Sequence, residues 1–296
     1  MSTASPAFHT IRDMLRLAVT RFNEARLFFG HGNSNAFDEA VYLILKSLSL
    51  PLDTLEPFLD ARLTPEEISR IRRLIDRRVS ERMPAAYLTT EAWLQGYRFY
   101  VDQRVIIPRS FIAELIMEQF APWVDDPQTP HDILELCTGS GCLAIMMADA
   151  FPHAVIDAVD LSTEALDVAR INVAEYEMAD RINLIHSDLY QAIGQKKYDL
   201  IVTNPPYVNS ASMKKLPPEY QHEPQMALAG GDDGMDLVRK IVREAGQHLN
   251  EKGLLIVEIG NEAAHAEAAF PDLALTWIST SGGDDRVFLV EASQLR

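Results

Sequence analysis

An α/β chain with a mostly parallel sheet, preceded by a small helical domain, is what this sequence predicts, and three observations predict it. From residue 133 onward, short β-branched runs alternate with stretches of helical period, the pattern of parallel βαβ units. Across residues 8–83 the apolar residues recur at helical spacing alone. Between the final two apolar runs stands only Gly282-Gly283-Asp284-Asp285, so the sheet should close on an antiparallel hairpin. The length of 296 residues suits two domains of about 100–200 residues each.

In the helical part, Thr64-Pro65-Glu66-Glu67 is a helix start: a Thr cap, Pro in the first turn, and Glu67 placed to complete a capping box. Ile68, Ile71, Leu74, Ile75 and Val79 then mark one buried face. Arg70, Arg73 and Arg77 fall on another face. They read either as a solvated surface offset by Glu66, Glu67, Asp76 and Glu81, or as a contact face for RNA or substrate. Tyr97 to Val101, a turn at Asp102-Gln103-Arg104, and Val105 to Ile107 predict a connecting β-hairpin. The expected division is 1–92 helical, 93–109 hairpin and 110–296 α/β.

Within the α/β part, a helical opener runs from Ser110 to Phe120. Strands follow at 133–136, 155–159, 182–185, 200–202 and 254–259, with helices at 142–150, 163–178 and 235–249. A short helix and strands at 274–278 and 287–290 end the chain.

Hydrophobic content of 47% and charged content of 24% allow a sizeable core. No apolar run approaches the roughly 18–20 residues of a membrane span, and Met1 to Thr10 lacks the basic and apolar pattern of a secretory leader. Cys137 and Cys142 form no metal spacing or disulfide framework, so a reducing cytoplasm is expected. Residues 1–92 carry 12 Lys+Arg and 12 Asp+Glu, and the remainder carries 15 and 31, so the whole net charge of −16 lies there. Such a domain is a poor sequence-independent ligand for nucleic acid. It would attract a basic partner, or serve solubility alone.

Three constellations carry chemistry. Glu135-Leu136-Cys137-Thr138-Gly139-Ser140-Gly141-Cys142 ends a strand and opens a helix, with glycines that let the backbone approach a ligand. No Gly-Lys-Ser/Thr follows, so a nucleoside ligand fits better than a phosphate. Asp160 ends the next strand, 21 residues beyond Gly139, where a ribose diol would be held; alone it reads equally as a helix cap. Asp188, in His186-Ser187-Asp188-Leu189, is placed to accept from an adenine amino group or to cap its loop.

Asn204-Pro205-Pro206-Tyr207 is the third. Two prolines fix φ and donate nothing, so the neighbouring carbonyls project rigidly. The Asn204 oxygen and the Pro205 carbonyl can then accept from one NH₂ group, with Tyr207 as a flat wall. An amide nitrogen is a poor nucleophile because its lone pair is delocalised. Holding both its hydrogens favours pyramidalisation and aims the lone pair at an electrophile.

Together these residues resemble the class I S-adenosylmethionine-dependent methyltransferases with a Rossmann-like sheet, in the subgroup that methylates planar nitrogens. The resemblance covers nearly the whole chain, and with its helical domain and hairpin it is similar to the protein-(glutamine-N5) methyltransferases. Tyr87 to Trp93, Ile107-Pro108-Arg109-Ser110 and Tyr220-Gln221-His222-Glu223-Pro224 resemble the branch acting on large-subunit ribosomal protein L-three. The release-factor branch reads Pro-Arg-Pro-Glu-Thr-Glu where this chain has Pro108 to Ala113. Cys137 stands where many relatives carry glycine.

The resemblance implies S-adenosyl-L-methionine as cofactor. It puts Cys137, Thr138, Gly139, Ser140 and Gly141 against its methionine and ribose, Asp160 on the ribose hydroxyls, and Asp188 with Leu189 at the adenine. Asn204 to Tyr207 would hold the substrate glutamine, with Asn204 also beside the cofactor. Glu223-Pro224 and Ala227 to Gly234 would form an active-site loop, which on residue grounds is only glycine-rich and mobile. His222 reads as structural, because a methylated ammonium-like product loses its proton to water. In-line transfer needs no metal. The expected partner is a basic ribosomal protein, free or in an assembly intermediate. Competing readings are release-factor methylation, adenine-N6 methylation of nucleic acid, and a silent ribosome-assembly factor; the acidic domain and the intact Asn204 and Asp160 weigh against the last two.

Overall fold

The computed structural model describes residues 9–295, which divide into two compact units. Residue 8 and most of the segment read for a leader lie outside the described residues. The first unit joins the chain up to Glu91 with residues 217–222; the second holds 92–216 and 223–295.

Helices α1 (Ile11–Glu24), α2 (Ala36–Ser47), α3 (Pro65–Ser80) and α4 (Ala85–Thr89) build the first unit. The α3 capping box is present: Glu67 N–H donates to Thr64 Oγ1 at 3.3 Å, and Thr64 N–H donates to Glu67 Oε2 at 2.8 Å. Such a cap stabilises a helix by about 1 kcal/mol. Ile71 and Ile75 enter a core with Phe22, Leu43 and Ile44. Arg78 is buried as well, which hydrophobic spacing does not announce. Its guanidinium meets Glu39 at 2.6 Å and Glu219 at 3.3 Å, and donates to the Phe28 carbonyl at 2.8 Å. An unpartnered charge there would cost several kcal/mol. Glu219 also accepts from Phe28 N–H at 3.0 Å, which ties residues 217–222 into this unit.

The hairpin forms earlier than the sequence suggests, as β1 (Glu91–Leu94) and β2 (Tyr97–Tyr100). Gln95 and Gly96 both take positive φ, 48° and 85°, the pair a two-residue hairpin turn requires. Residues 105–107 form no strand. Arg104 N–H donates to Asp102 at 3.0 Å and its guanidinium pairs with the same carboxylate at 2.6 Å, while Val105 N–H donates to the Asp102 carbonyl at 3.1 Å. Local side-chain bonds here outcompete a ladder.

After α5 (Ile112–Met117), the chain alternates as β3 (Asp132–Leu136), α6 (Cys142–Ala150), β4 (Val155–Asp160), α7 (Thr163–Glu175), β5 (Ile182–His186) and β6 (Tyr198–Thr203). It continues through α8 (Ser210–Met213), α9 (Asp236–His248), β7 (Leu249–Glu258), α10 (Ala263–Ala269), β8 (Thr276–Thr280) and β9 (Gly283–Glu291). The seven strands lie in the order β5-β4-β3-β6-β7-β9-β8. Pairings are parallel from β5 to β7, whereas β9 runs antiparallel to both β7 and β8, the expected closing hairpin. Consecutive Ile201 and Val202 are both fully buried, so both faces of the central sheet are covered. Among the described residues no helix is long and apolar enough to cross a membrane.

Candidate active site

Strand order runs outward from β3 through β4 to β5, then restarts on the other side with β6. A crevice opens at the carboxyl ends of strands where the order reverses. Leu136 pairs with Thr203 there, and Thr203 Oγ1 donates to the Leu136 carbonyl at 2.9 Å, so Cys137 and Asn204 leave the sheet side by side.

Two cavities meet at this point. One, of about 110 Å³, is lined by Ile106, Cys137, Gly139, Asp160, Asn204 and Pro206 among others. The smaller, of about 30 Å³, includes Glu135, Cys137, Thr138, Gly139, Ser140 and Asn204. Cys137, Gly139 and Asn204 line both, which makes one branched cleft. Gly141, Asp188, Leu189, Pro205 and Tyr207 line neither.

The two loop glycines serve different ends. A Cβ on Gly139 (φ 55°) would meet nothing within 4 Å, so its backbone faces open cleft. A Cβ on Gly141 (φ 77°) would come within 3.2 Å of Ala169 Cβ on α7, so that glycine permits close helix packing. Cys137 takes φ 61°, in the region that costs a side chain about 1–2 kcal/mol. Burial raises the pKa of both free thiols, that of Cys142 to about 12, so neither is a thiolate near neutrality.

Asp160 accepts from Gly139 N–H at 2.8 Å through Oδ2 and from Ser162 N–H at 2.9 Å through Oδ1. The cap of α7 is Ser162 itself, whose hydroxyl accepts from Ala165 N–H at 3.1 Å. Asp160 therefore braces the glycine loop rather than capping the helix. Each carboxylate oxygen keeps a lone pair, the capacity a vicinal diol would use. Burial pushes the Asp160 carboxyl up from its ordinary value against those two bonds. Asp188 and Leu189 follow β5, whose His186 lies in register with Asp160; Leu189 takes φ 49°.

No hydrogen bond engages the Asn204 side chain among the described residues, although it is half-buried and faces both cavities. The backbone beyond it is held tightly. A Cβ at Gly230 would lie 2.7 Å from Tyr207 Cα and one at Gly234 would lie 2.2 Å from the Tyr207 carbonyl oxygen. Gly230 N–H donates to the Val208 carbonyl at 2.9 Å, and Val208 N–H to the Leu228 carbonyl at 2.9 Å. The stretch expected to be a mobile loop is thus a hydrogen-bonded brace under the Asn-Pro-Pro-Tyr turn. His222 carries its ring against the Glu81 carbonyl at 2.7 Å, a structural contact within the helical unit.

Met226 and Glu258 carry no periodic or motif signal of their own, and the contacts that Arg109, Ser110 and Glu223 make are not written in their motifs. Arg109 grips both Glu223 oxygens at 2.5 and 2.6 Å, and Ile107 N–H donates to Glu223 at 3.0 Å. This fixes the strandless 106–109 wall against Pro224, whose neighbour Met226 lines the larger cavity with its side chain exposed. Glu258, at the end of β7, accepts through Oε2 from Ser110 Oγ at 2.6 Å and from Phe111 N–H at 2.8 Å, while its buried Oε1 has no partner among the described residues. Burial lifts its pKa to about 7, and that of Glu135 to about 8.

A carboxyl with a raised native pKa binds more protons folded than unfolded. Its stabilisation is complete below the unfolded value near 4.5 and is lost as pH rises to about 7 for Glu258. The unliganded protein therefore melts lower at pH 8 than at pH 5. Glu258→Gln should remove part of that decline, on the order of 3 kcal/mol. Unfolding curves of both proteins across this range check it, and parallel curves would refute the assignment.

The cleft thus brings together the glycine loop, the partly engaged Asp160 carboxylate and the Asn204 side chain. Residues 113–216 match the model of the methyltransferase small domain. The ribosomal protein uL3 glutamine methyltransferase of Burkholderia pseudomallei is 59% identical over 100% of this chain and 98% of its own. That of Bordetella pertussis is 58% identical over 97% of this chain and 96% of its own. In fold, the crystal structure of the hMettl16 catalytic domain in complex with MAT2A 3'UTR hairpin 6 is similar at TM-score 0.51 and 13% identity, covering 77% of this chain and 81% of that one. With full-length identity at this level, the chain belongs to the family of the ribosomal protein uL3 glutamine methyltransferases.

Proposed function

We propose that this protein is a cytoplasmic enzyme that transfers a methyl group from S-adenosyl-L-methionine to a glutamine side-chain nitrogen of ribosomal protein uL3. The observation that carries the reading is Asn204: an unengaged amide at the end of β6, beside Cys137, facing a cleft braced by Asp160. The full-length relatives named for this activity support the choice of substrate.

The residues suit the cofactor by their chemistry. Gly139 offers bare backbone, Asp160 retains acceptor capacity for two hydroxyls, and the Asp188-Leu189 turn follows the neighbouring strand. When bound, the cofactor supplies an electrophilic methyl group on a sulfonium. The Asn204 oxygen and the Pro205 carbonyl accept the two hydrogens of the substrate amide, which orients its nitrogen and stabilises the positive charge that develops there. Gly230 and Gly234 let the brace close on the backbone of residues 206–207, so the acceptors do not reorganise during the reaction. Tyr207 packs against Gly260, where any Cβ would strike its ring at 2.5 Å. The proton left on the product passes to water.

The acidic second unit favours a basic substrate, and such steering is screened over about 8–10 Å at 0.1–0.15 M salt. Offering purified uL3 and a release factor together with radiolabelled cofactor tests the reading. Label should enter uL3 preferentially, at a rate that falls as salt rises. Preferential label in the release factor would overturn the substrate, and label in nucleic acid would overturn the glutamine chemistry.

A further inference from the structure

The first unit carries a basic groove of about 450 Å³ between the end of α2 and one face of α3. Lys46, Arg70, Arg73 and Arg77 line it, with Leu74 and Leu88 as apolar floor. Two nearby acids are engaged elsewhere, and two meet cations of the groove. Asp76 pairs with Arg21, and Glu67 closes the α3 capping box. Glu81 pairs with Arg77 at 3.2 Å, and Glu91 with Lys46 at 2.5 Å. Arg70 donates to the Ser47 carbonyl and Arg73 to Ser69 Oγ, both at 2.8 Å. Among the described residues, neither Arg70 nor Arg73 has a carboxylate at ion-pair distance. Four cations thus face two carboxylates. The surface is not the self-neutralised helix face that charge counting along α3 allows.

We propose that this groove binds the sugar–phosphate backbone of RNA. Arg70, Arg73 and Arg77 succeed one another along α3 with rises of about 4.5 and 6 Å, a ladder of planar donors rather than one ion's cage. The volume exceeds what a single phosphate fills. Its lining contains no aromatic ring on which a base could stack, so the contacts are to phosphates and carry no sequence preference. The groove also repels a basic protein. If the glutamine reading above holds, the polyanion that accompanies a ribosomal protein is ribosomal RNA, and the groove takes the RNA of an assembly intermediate while uL3 supplies the glutamine.

Anisotropy of a fluorescein-labelled, mixed-sequence single-stranded RNA of about 20 nucleotides, titrated with the full chain between 50 and 200 mM salt, tests this without methyl transfer. Three phosphate contacts predict that log K falls against log salt with a slope of about −2. The R70Q/R73Q variant should bind at least tenfold more weakly at 50 mM salt, with a slope nearer −0.7. Methylation of RNA-free uL3 should be unchanged in that variant. Should it fold poorly, R73Q alone, an exposed position, should still reduce the slope by about 0.7. Absence of wild-type binding at 50 mM salt, or equal affinity and slope in the variants, would overturn the proposal. So would displacement of the RNA by an equal charge of poly-glutamate, which would assign the groove to an acidic protein segment, or a parallel loss of activity on free uL3, which would assign it to the protein substrate. None of the RNA measurements depends on the glutamine chemistry, so the two readings fail separately.

Discussion

Asn204→Ala lowers turnover by about 100-fold or more while leaving cofactor affinity and folding nearly intact. The side chain makes no hydrogen bond within the described protein, so its removal unpairs nothing, and stability should change by no more than about 1 kcal/mol. What it loses is an acceptor aimed at the reacting nitrogen. That contact strengthens as the amide pyramidalises and positive charge develops, so the loss falls on kcat rather than on ground-state binding. A single preorganised group of this kind is typically worth about 100-fold or more. Single-turnover methylation of uL3, with calorimetric titration of the cofactor, separates the two quantities. A rate above about a tenth of wild type would refute the alignment mechanism, whatever the substrate.

Substitution of Asp160 has the opposite signature. Asp160→Asn keeps an oxygen for one backbone donor but loses the charge and one acceptor. Cofactor affinity should fall about tenfold or more, since hydrogen bonds to charged groups contribute about 1.5–3 kcal/mol each. Asp160→Ala should fall further, because Gly139 N–H and Ser162 N–H both lose their partner and the loop loses its brace. The difference between the two variants measures bracing; the loss common to both measures the contact with ligand. Calorimetric titration that found both variants unchanged would remove Asp160 from the site.

The α/β sheet, the α3 capping box, the glycine loop, Asp160 and the Asn-Pro-Pro-Tyr turn were all legible in the linear sequence. Each is a local device: periodicity, a cap three residues from its partner, glycines at a strand end, two prolines that fix φ. What places Asn204 beside Cys137 is the pairing of β3 with β6, strands with two others between them in the chain, and no spacing rule specifies that neighbour. The same holds for the charges. Nothing in the spacing along α3 marks Arg78 for burial, yet Glu39 and Glu219, 39 and 141 residues away, allow it. Arg70 and Arg73 allow two readings in the sequence, and only the fold shows that Asp76, one of the acids near them, pairs with Arg21, 55 residues off. In the hairpin, turn chemistry at Gln95-Gly96 overrode the β-branched run 105–107 because two positive φ angles and the Asp102–Arg104 lock decide where the strands can pair. Backbone preferences and caps act within a few residues and are written in the sequence. Which carboxylate meets which cation, and which strand ends share a cleft, depends on contacts that exist only once distant segments have packed.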